Sequence, residues 1–214
     1  MDIAYINKPH YDDVGYDSWI VNEEHRVFGV FDGMGVSDGA RAASMMLSNK
    51  FGQVASTGLN AKALGEVINS VSRTLSNMFP NDGSTATVVR INSEGQLYYA
   101  SIGDSRLYVM RKGRIKQVTS DEGLGNMLTN YVGAYSHGVC QIGEINSDDW
   151  DAFMLCTDGI TGDWQPQFIY DDEIERLFTD RLTSKEICRD LVSISKKDDD
   201  KTVIVVNKYK GENQ

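Results

Sequence analysis

Between residues 85 and 118 the chain offers four short runs of β-branched and aromatic residues in quick succession, and this stretch limits the fold more than any other. The runs span 85–91, 96–102, 106–110 and 114–118. Brief polar turns part them: Ser93-Glu94-Gly95, Gly103-Asp104-Ser105 and Lys112-Gly113. Such spacing reads as an antiparallel meander, because turns this short let successive strands double back on one another.

The flanking segments must then supply cover for a sheet. Residues 18–21 and 26–31 read as two further strands joined by Asn22-Glu23-Glu24-His25. A helix begins at Ser37 or Asp38, either able to cap it, and runs to about residue 51. A second helix spans 60–78, with Asn60 as its cap. In it Leu64, Val67, Ile68, Val71, Leu75 and Met78 recur at helical spacing and make one apolar face. Residues 139–145 form a weaker strand, and 152–157 an apolar one. A helix over 183–195 opens with a capping box of Thr183 and Glu186, and a last strand covers 202–206. Helices grouped beside antiparallel strands predict layered α+β packing, not a parallel doubly wound sheet. Two central sheets with helices outside satisfy every segment. The 214 residues show no linker, low-complexity stretch or internal repeat, so one domain over 1–214 is expected.

The formal net charge of −10 argues against sequence-independent nucleic-acid binding, which needs phosphate-neutralising Lys and Arg. The three cysteines, Cys140, Cys156 and Cys188, are far apart and lack a C-x-x-C, so neither a disulfide framework nor a zinc site is expected. The opening MDIAYINKPHYDD has no basic segment leading into an apolar run, and no apolar stretch approaches the roughly 20 residues that span a bilayer. A cytoplasmic protein without membrane contact is the expectation.

Aspartates stand at the ends of several predicted strands. Asp32 closes VFGVF, Asp158 follows AFMLC-Thr157, and Asp199 and Asp200 lead into the final strand. A carboxylate at a strand end is fixed by rigid backbone yet lies outside the packed layer, so several can converge on one point. Oxygen ligands suit hard cations such as Mg²⁺ or Mn²⁺, and close carboxylates repel unless a cation neutralises them. Asp32-Gly33 and Asp158-Gly159 share an arrangement in which the glycine lets backbone approach an ion. Asp-Gly is also an ordinary turn dipeptide, so these features alone leave metal binding and a plain turn both open.

Five segments carry a family resemblance: VFGVFDGMG at 27–35, GSTAT at 83–87, ASIGDSR at 100–106, LCTDGI at 155–160 and DDKTVIV at 199–205. In this order, spread over nearly the whole chain, they resemble the motifs of the protein phosphatase 2C family, and the chain looks like a compact bacterial-type member. The resemblance implies a four-layer α-β-β-α sandwich. It implies a metal-dependent Ser/Thr phosphatase acting on phosphorylated proteins, with a cognate Ser/Thr kinase as signalling partner. Two Mn²⁺ or Mg²⁺ ions would be held by Asp32, which bridges them, the Gly33 carbonyl, Asp158 and Asp199. Asp17 would hold metal-bound water, and Asp104 matches the residue that holds a third ion. Catalysis would run through a water bridging the two ions, which lower its pKa for in-line attack on phosphorus.

The sequence departs from that pattern in places. Asp12 stands where the family's phosphate-gripping arginine is expected, leaving Lys8 and His10 as nearby candidates for phosphate binding. Met34 replaces a histidine that many members carry after Asp-Gly. Gly162 takes the place of a further aspartate, with Asp163 one residue later as a candidate ligand. The lid segment shrinks to about 119–137, which predicts a more open cleft. The alternative to an enzyme is a non-catalytic regulatory or binding module on the same fold, motivated by Asp12.

Overall fold

The computed structural model describes residues 1–10, 14–54, 58–124, 127–134, 139–162, 167–180 and 183–208. In chain order the elements begin with β1 (Asp2–Lys8), β2 (Ser18–Asn22), β3 (Val27–Phe31), α1 (Asp38–Gln53) and α2 (Ala61–Met78). There follow β4 (Gly83–Ser84), β5 (Ala86–Ile91), β6 (Leu97–Ile102), β7 (Arg106–Arg111), β8 (Arg114–Gln117), β9 (Gly123–Leu124), β10 (Met127–Leu128), β11 (Val132–Gly133) and β12 (Gln141–Ile145). The chain continues through β13 (Ala152–Cys156), α3 (Asp158–Thr161), α4 (Asp171–Thr179), α5 (Ser184–Ile194) and β14 (Lys201–Asn207).

Two five-stranded sheets result, ordered β1-β14-β13-β7-β8 and β12-β6-β5-β3-β2. Side chains alternate between the faces of a strand, and here both faces are apolar. Phe28 and Val30 of β3 meet Phe153 and Leu155 of β13 and Ile204 and Val206 of β14 in a core between the sheets. The alternate residues Val27 and Phe31 turn outward, where Leu47 and Phe51 of α1 and Leu64, Ile68 and Leu75 of α2 cover them. On the other side Met154, Cys156, Val203 and Val205 pack against Ile174 of α4 and Ile187, Cys188 and Leu191 of α5. Three apolar cores therefore separate four layers, and the expected α-β-β-α sandwich is what forms.

Local chemistry sets the boundaries. Ser37 accepts from the Ala40 amide at 3.0 Å and starts α1. Asn60 does the same for α2 through the Ala63 amide at 2.9 Å. The Thr183–Glu186 capping box opens α5. Arg26 takes a left-handed φ of 53°, so β3 starts at Val27, one residue after the predicted start.

One expectation needs correcting. The four central runs do not form a single meander: β5 pairs with β6, and β7 with β8, but the two hairpins lie in different sheets. The Gly103-Asp104-Ser105 turn is a crossing between sheets. Gly103 makes it with φ +98°, and a Cβ there would strike Thr85 at 2.7 Å. Two larger elements were not predicted at all, β1 and α4. No described helix is long and apolar enough to cross a membrane.

Candidate active site

Antiparallel pairing sets Cys156 opposite Val203, so the end of β13 and the start of β14 share one edge of their sheet. Asp158 and Asp199 project there. The facing sheet contributes Asp32 from the end of β3, and the crossing between sheets contributes Asp104. All four line one cleft of about 570 Å³, together with Asp198 and Asp200.

Neighbouring hydroxyls and amides hold these groups in place. The Asp32 amide donates to Thr85 Oγ1 at 3.1 Å, and the Thr85 amide donates back to the Asp32 carbonyl at 2.8 Å. Thr85 is braced in turn by Ser105 at 2.6 Å. Gly33 is wedged between two backbone carbonyls: a Cβ would lie 2.6 Å from the Ala40 oxygen and 2.7 Å from that of Tyr16. Asp17 is buried, and its carboxylate accepts from Thr202 Oγ1 at 2.6 Å and Thr157 Oγ1 at 2.9 Å. Asp200 faces the N-terminal segment and accepts from the amides of His10 (2.7 Å), Tyr16 and Asp17 (3.2 Å).

Electrostatics mark the cleft as short of positive charge. Burial, then the charges of Asp17, Asp158, Asp104 and Asp199, hold the Asp32 carboxyl well above the usual range. Burial raises Asp17 to about 8 against the partial relief of Thr202 and Thr157. Burial and then Asp158 and Asp121 raise Asp104 to about 7, with Lys197 pulling the other way. These carboxyls bind protons more tightly folded than unfolded. The stability they lend is complete below their ordinary pKa of 3.8 and drains away as pH rises through 7 to 8. In EDTA the melting temperature should therefore fall between pH 6 and pH 8.5, and millimolar Mn²⁺ should flatten that slope by replacing the protons. A melting temperature in EDTA that is constant or rising over this range would contradict the assignment.

Among the described residues lining the cleft, a single lysine meets this charge. Lys197 Nζ contacts the Asp158 carboxylate and lies 3.2 Å from Asp199 Oδ2. His10 also lines the cleft, with Nδ1 3.2 Å from Asp198. As the side chains stand, no three His, Cys, Asp or Glu among the described residues form a ready-made metal cage. The donor set nevertheless fits a hard cation. It consists of carboxylate oxygens held at strand ends, with Asp32 raised in proton affinity and an ammonium group already seated between Asp158 and Asp199.

Of the other predicted residues, Met34 lines the cleft, whereas Lys8 is exposed on β1 and is not part of the lining. Asp12 and Asp163 lie outside the described residues. Arg106 is buried beside the crossing between the sheets. It is 2% exposed and grips Asp121 through Nε at 3.0 Å and Nη2 at 2.6 Å. That pair pins the start of the 119–137 segment. Glu122 adds to it by accepting from the Gly103 amide at 3.0 Å. Leu128 of β10 reaches the cleft wall. Lys197 and the threonines around Asp17 escaped the sequence reading, although Thr202 and Thr157 sit inside quoted motifs.

The family model for Stage II sporulation protein E (SpoIIE) matches residues 22–209. The chain belongs to the SpoIIE family. This family is PP2C-like, and by family the SpoIIE-type chain is a phosphoprotein phosphatase. Solved structures share its fold over almost the full length. The serine/threonine phosphatase Stp1 from Staphylococcus aureus superposes with a TM-score of 0.83 at 19% identity, covering 98% of this chain and 96% of that one. PppA of Pseudomonas aeruginosa, described as a key regulatory component of T6SS, gives 0.82 at 21% identity, covering 97% of each chain. The serine/threonine phosphatase PstP/Ppp of Mycobacterium tuberculosis gives 0.78 at 18%, covering 97% and 99%. No match was found among curated proteins.

Proposed function

We propose that residues 1–214 of this SpoIIE-family chain form one catalytic domain that hydrolyses phosphoserine and phosphothreonine in proteins with the help of divalent metal ions. One observation carries the reading: Asp32, Asp104, Asp158 and Asp199, from four separate stretches of chain, line a single cleft, and burial together with the neighbouring carboxylates raises the proton affinity of Asp32.

Asp32, the Gly33 carbonyl, Asp158 and Asp199 would hold two Mn²⁺ or Mg²⁺ ions, with Asp17 behind them, Asp104 as ligand for a third and Asp163 as a further ligand. When bound, such ions offset phosphoryl charge and make a water nucleophilic at neutral pH. The chain's own part is positioning. Thr85 fixes the backbone on which Asp32 is mounted, and Thr157 and Thr202 hold the Asp17 carboxylate still. Met34 has no proton to give, so the departing seryl or threonyl oxygen is protonated from solvent in the cleft. With little lid above it, the cleft admits a phosphorylated loop of a folded protein, the product of a Ser/Thr kinase.

The test is hydrolysis of p-nitrophenyl phosphate and of a phosphoserine peptide by the purified protein. Turnover should require Mn²⁺ or Mg²⁺ and vanish in EDTA. No release of phosphate at millimolar Mn²⁺ would overturn the assignment. A non-catalytic binding module is the second reading, motivated by Asp12 where a phosphate-gripping arginine is expected. Mn²⁺ binding by calorimetry without turnover would favour it.

A further inference from the structure

Lys197 lies on the segment between α5 and β14, and that segment is tied down on either side of it. Ser195 Oγ donates to the Gly159 carbonyl at 2.7 Å, and Asp200 accepts the amides of the N-terminal segment. Between these anchors the side chains alternate: Lys196 and Asp198 are exposed, while Lys197 turns inward. Its side chain is 16% exposed and its ammonium sits between Asp158 and Asp199. Among the described residues lining the cleft it is the one Lys or Arg, against six aspartates. Lys201, four residues on, sends its own ammonium elsewhere, to the Ser195 carbonyl at 3.0 Å.

This position is the one a divalent ion shared by Asp158 and Asp199 would need. An ammonium and a metal ion cannot both sit there, because like charges at a few ångströms repel strongly in a partly dry site. The doubly charged ion gains more from the two carboxylates than the ammonium does. The lysine stem has four rotatable carbons, so the head can swing out without moving the backbone.

We propose that Lys197 is a built-in counterion of the acidic site, displaced when a divalent cation binds, so that its ammonium sets the metal concentration at which the site fills. The inference rests on the reading that Asp158 and Asp199 bind metal. Without metal, Lys197 screens the carboxylates and keeps the cleft closed to stray cations. With metal, its head is driven into solvent while it remains tethered beside the cleft.

Calorimetric titration with Mn²⁺, together with melting in EDTA, tests this on the full chain. Lys197→Met should bind Mn²⁺ about tenfold more tightly than the wild type, since a full positive charge next to the ion has been removed. It should melt at a lower temperature in EDTA. Lys197→Arg, which keeps the charge, should bind no more tightly than the wild type. If the wild type binds no Mn²⁺, the metal reading fails and takes this inference with it. If the wild type binds and Lys197→Met binds equally or more weakly, only the inference fails. A measurement on the unaltered chain guards against a variant that does not fold. Amine acetylation followed by mass spectrometry should label Lys197 slowly in EDTA and faster in Mg²⁺, and an unchanged or slower rate in Mg²⁺ would overturn the proposal.

Discussion

Asp32→Asn is expected to lower Mn²⁺-dependent hydrolysis of p-nitrophenyl phosphate by about a thousandfold or more, while raising the melting temperature of the protein in EDTA. The two effects have one cause. Asp32 is buried and then pressed by Asp17, Asp158, Asp104 and Asp199, so its carboxyl resists losing its proton. An amide of the same shape mimics the protonated acid and removes one of the mutually repelling charges, which favours the metal-free fold. The same amide is a poor ligand for a hard cation and cannot bridge two. Wild-type turnover in a folded Asp32→Asn protein would remove Asp32 from the machinery. Loss of turnover with a lower melting temperature in EDTA would show that Asp32 supports the fold rather than burdens it.

Gly159→Ala should be severely damaging, because its added methyl group meets the tightest main-chain contact among the described glycines. A Cβ at this position would lie 1.7 Å from the Asp200 carbonyl oxygen and 2.8 Å from its carbon. Both obstacles are backbone, so no rotamer change relieves the clash. The entry to β14 would have to move, and Asp199 and Asp200 with it. Overpacking a rigid site typically costs about 1–3 kcal/mol, and a clash with main chain belongs at or beyond the upper end. Urea denaturation should show that loss, accompanied by loss of phosphatase activity. Gly52→Ala is the matched control. A Cβ there meets nothing within 4 Å, and the residue lies in α1, so alanine should stabilise the protein by about 0.5–1 kcal/mol. Equal behaviour of the two variants would refute the packing argument.

Much of this architecture could be read from residue patterns because the patterns have direct physical causes. The caps Ser37, Asn60 and Thr183 each satisfy an amide that a helix start leaves open, and each lies where the sequence placed it. The doubly apolar strands β3, β13 and β14 demanded cover on both faces. What stayed hidden was of two kinds. β1 is an edge strand in which most side chains are only half-buried, so DIAYINK carries no clear alternation. α4 buries only Ile174 fully, too little for a periodic signal. The crossing at residues 103–105 was hidden for another reason. A three-residue turn looks the same whether the following strand joins its neighbour or the opposite sheet. What separates the two is long-range pairing, β7 lying against β13 and β8 and not against β6. At the cleft the strand-end aspartates were visible because they directly flank apolar runs. Lys197 was not, since a lysine before an acidic stretch is indistinguishable in sequence from an ordinary solvated charge.

The grip of Asp200 on the amides of His10, Tyr16 and Asp17 joins residues more than 180 positions apart, and β1 zips onto β14 along the same boundary. During synthesis, therefore, the early segments must wait beside the ribosome without their partner until the residues of β14 emerge. A nascent polypeptide halted before residue 199 would carry Asp17 and Asp32 but could not assemble a working centre. Hydrolytic competence would then arrive late and all at once, only after the last strand is made.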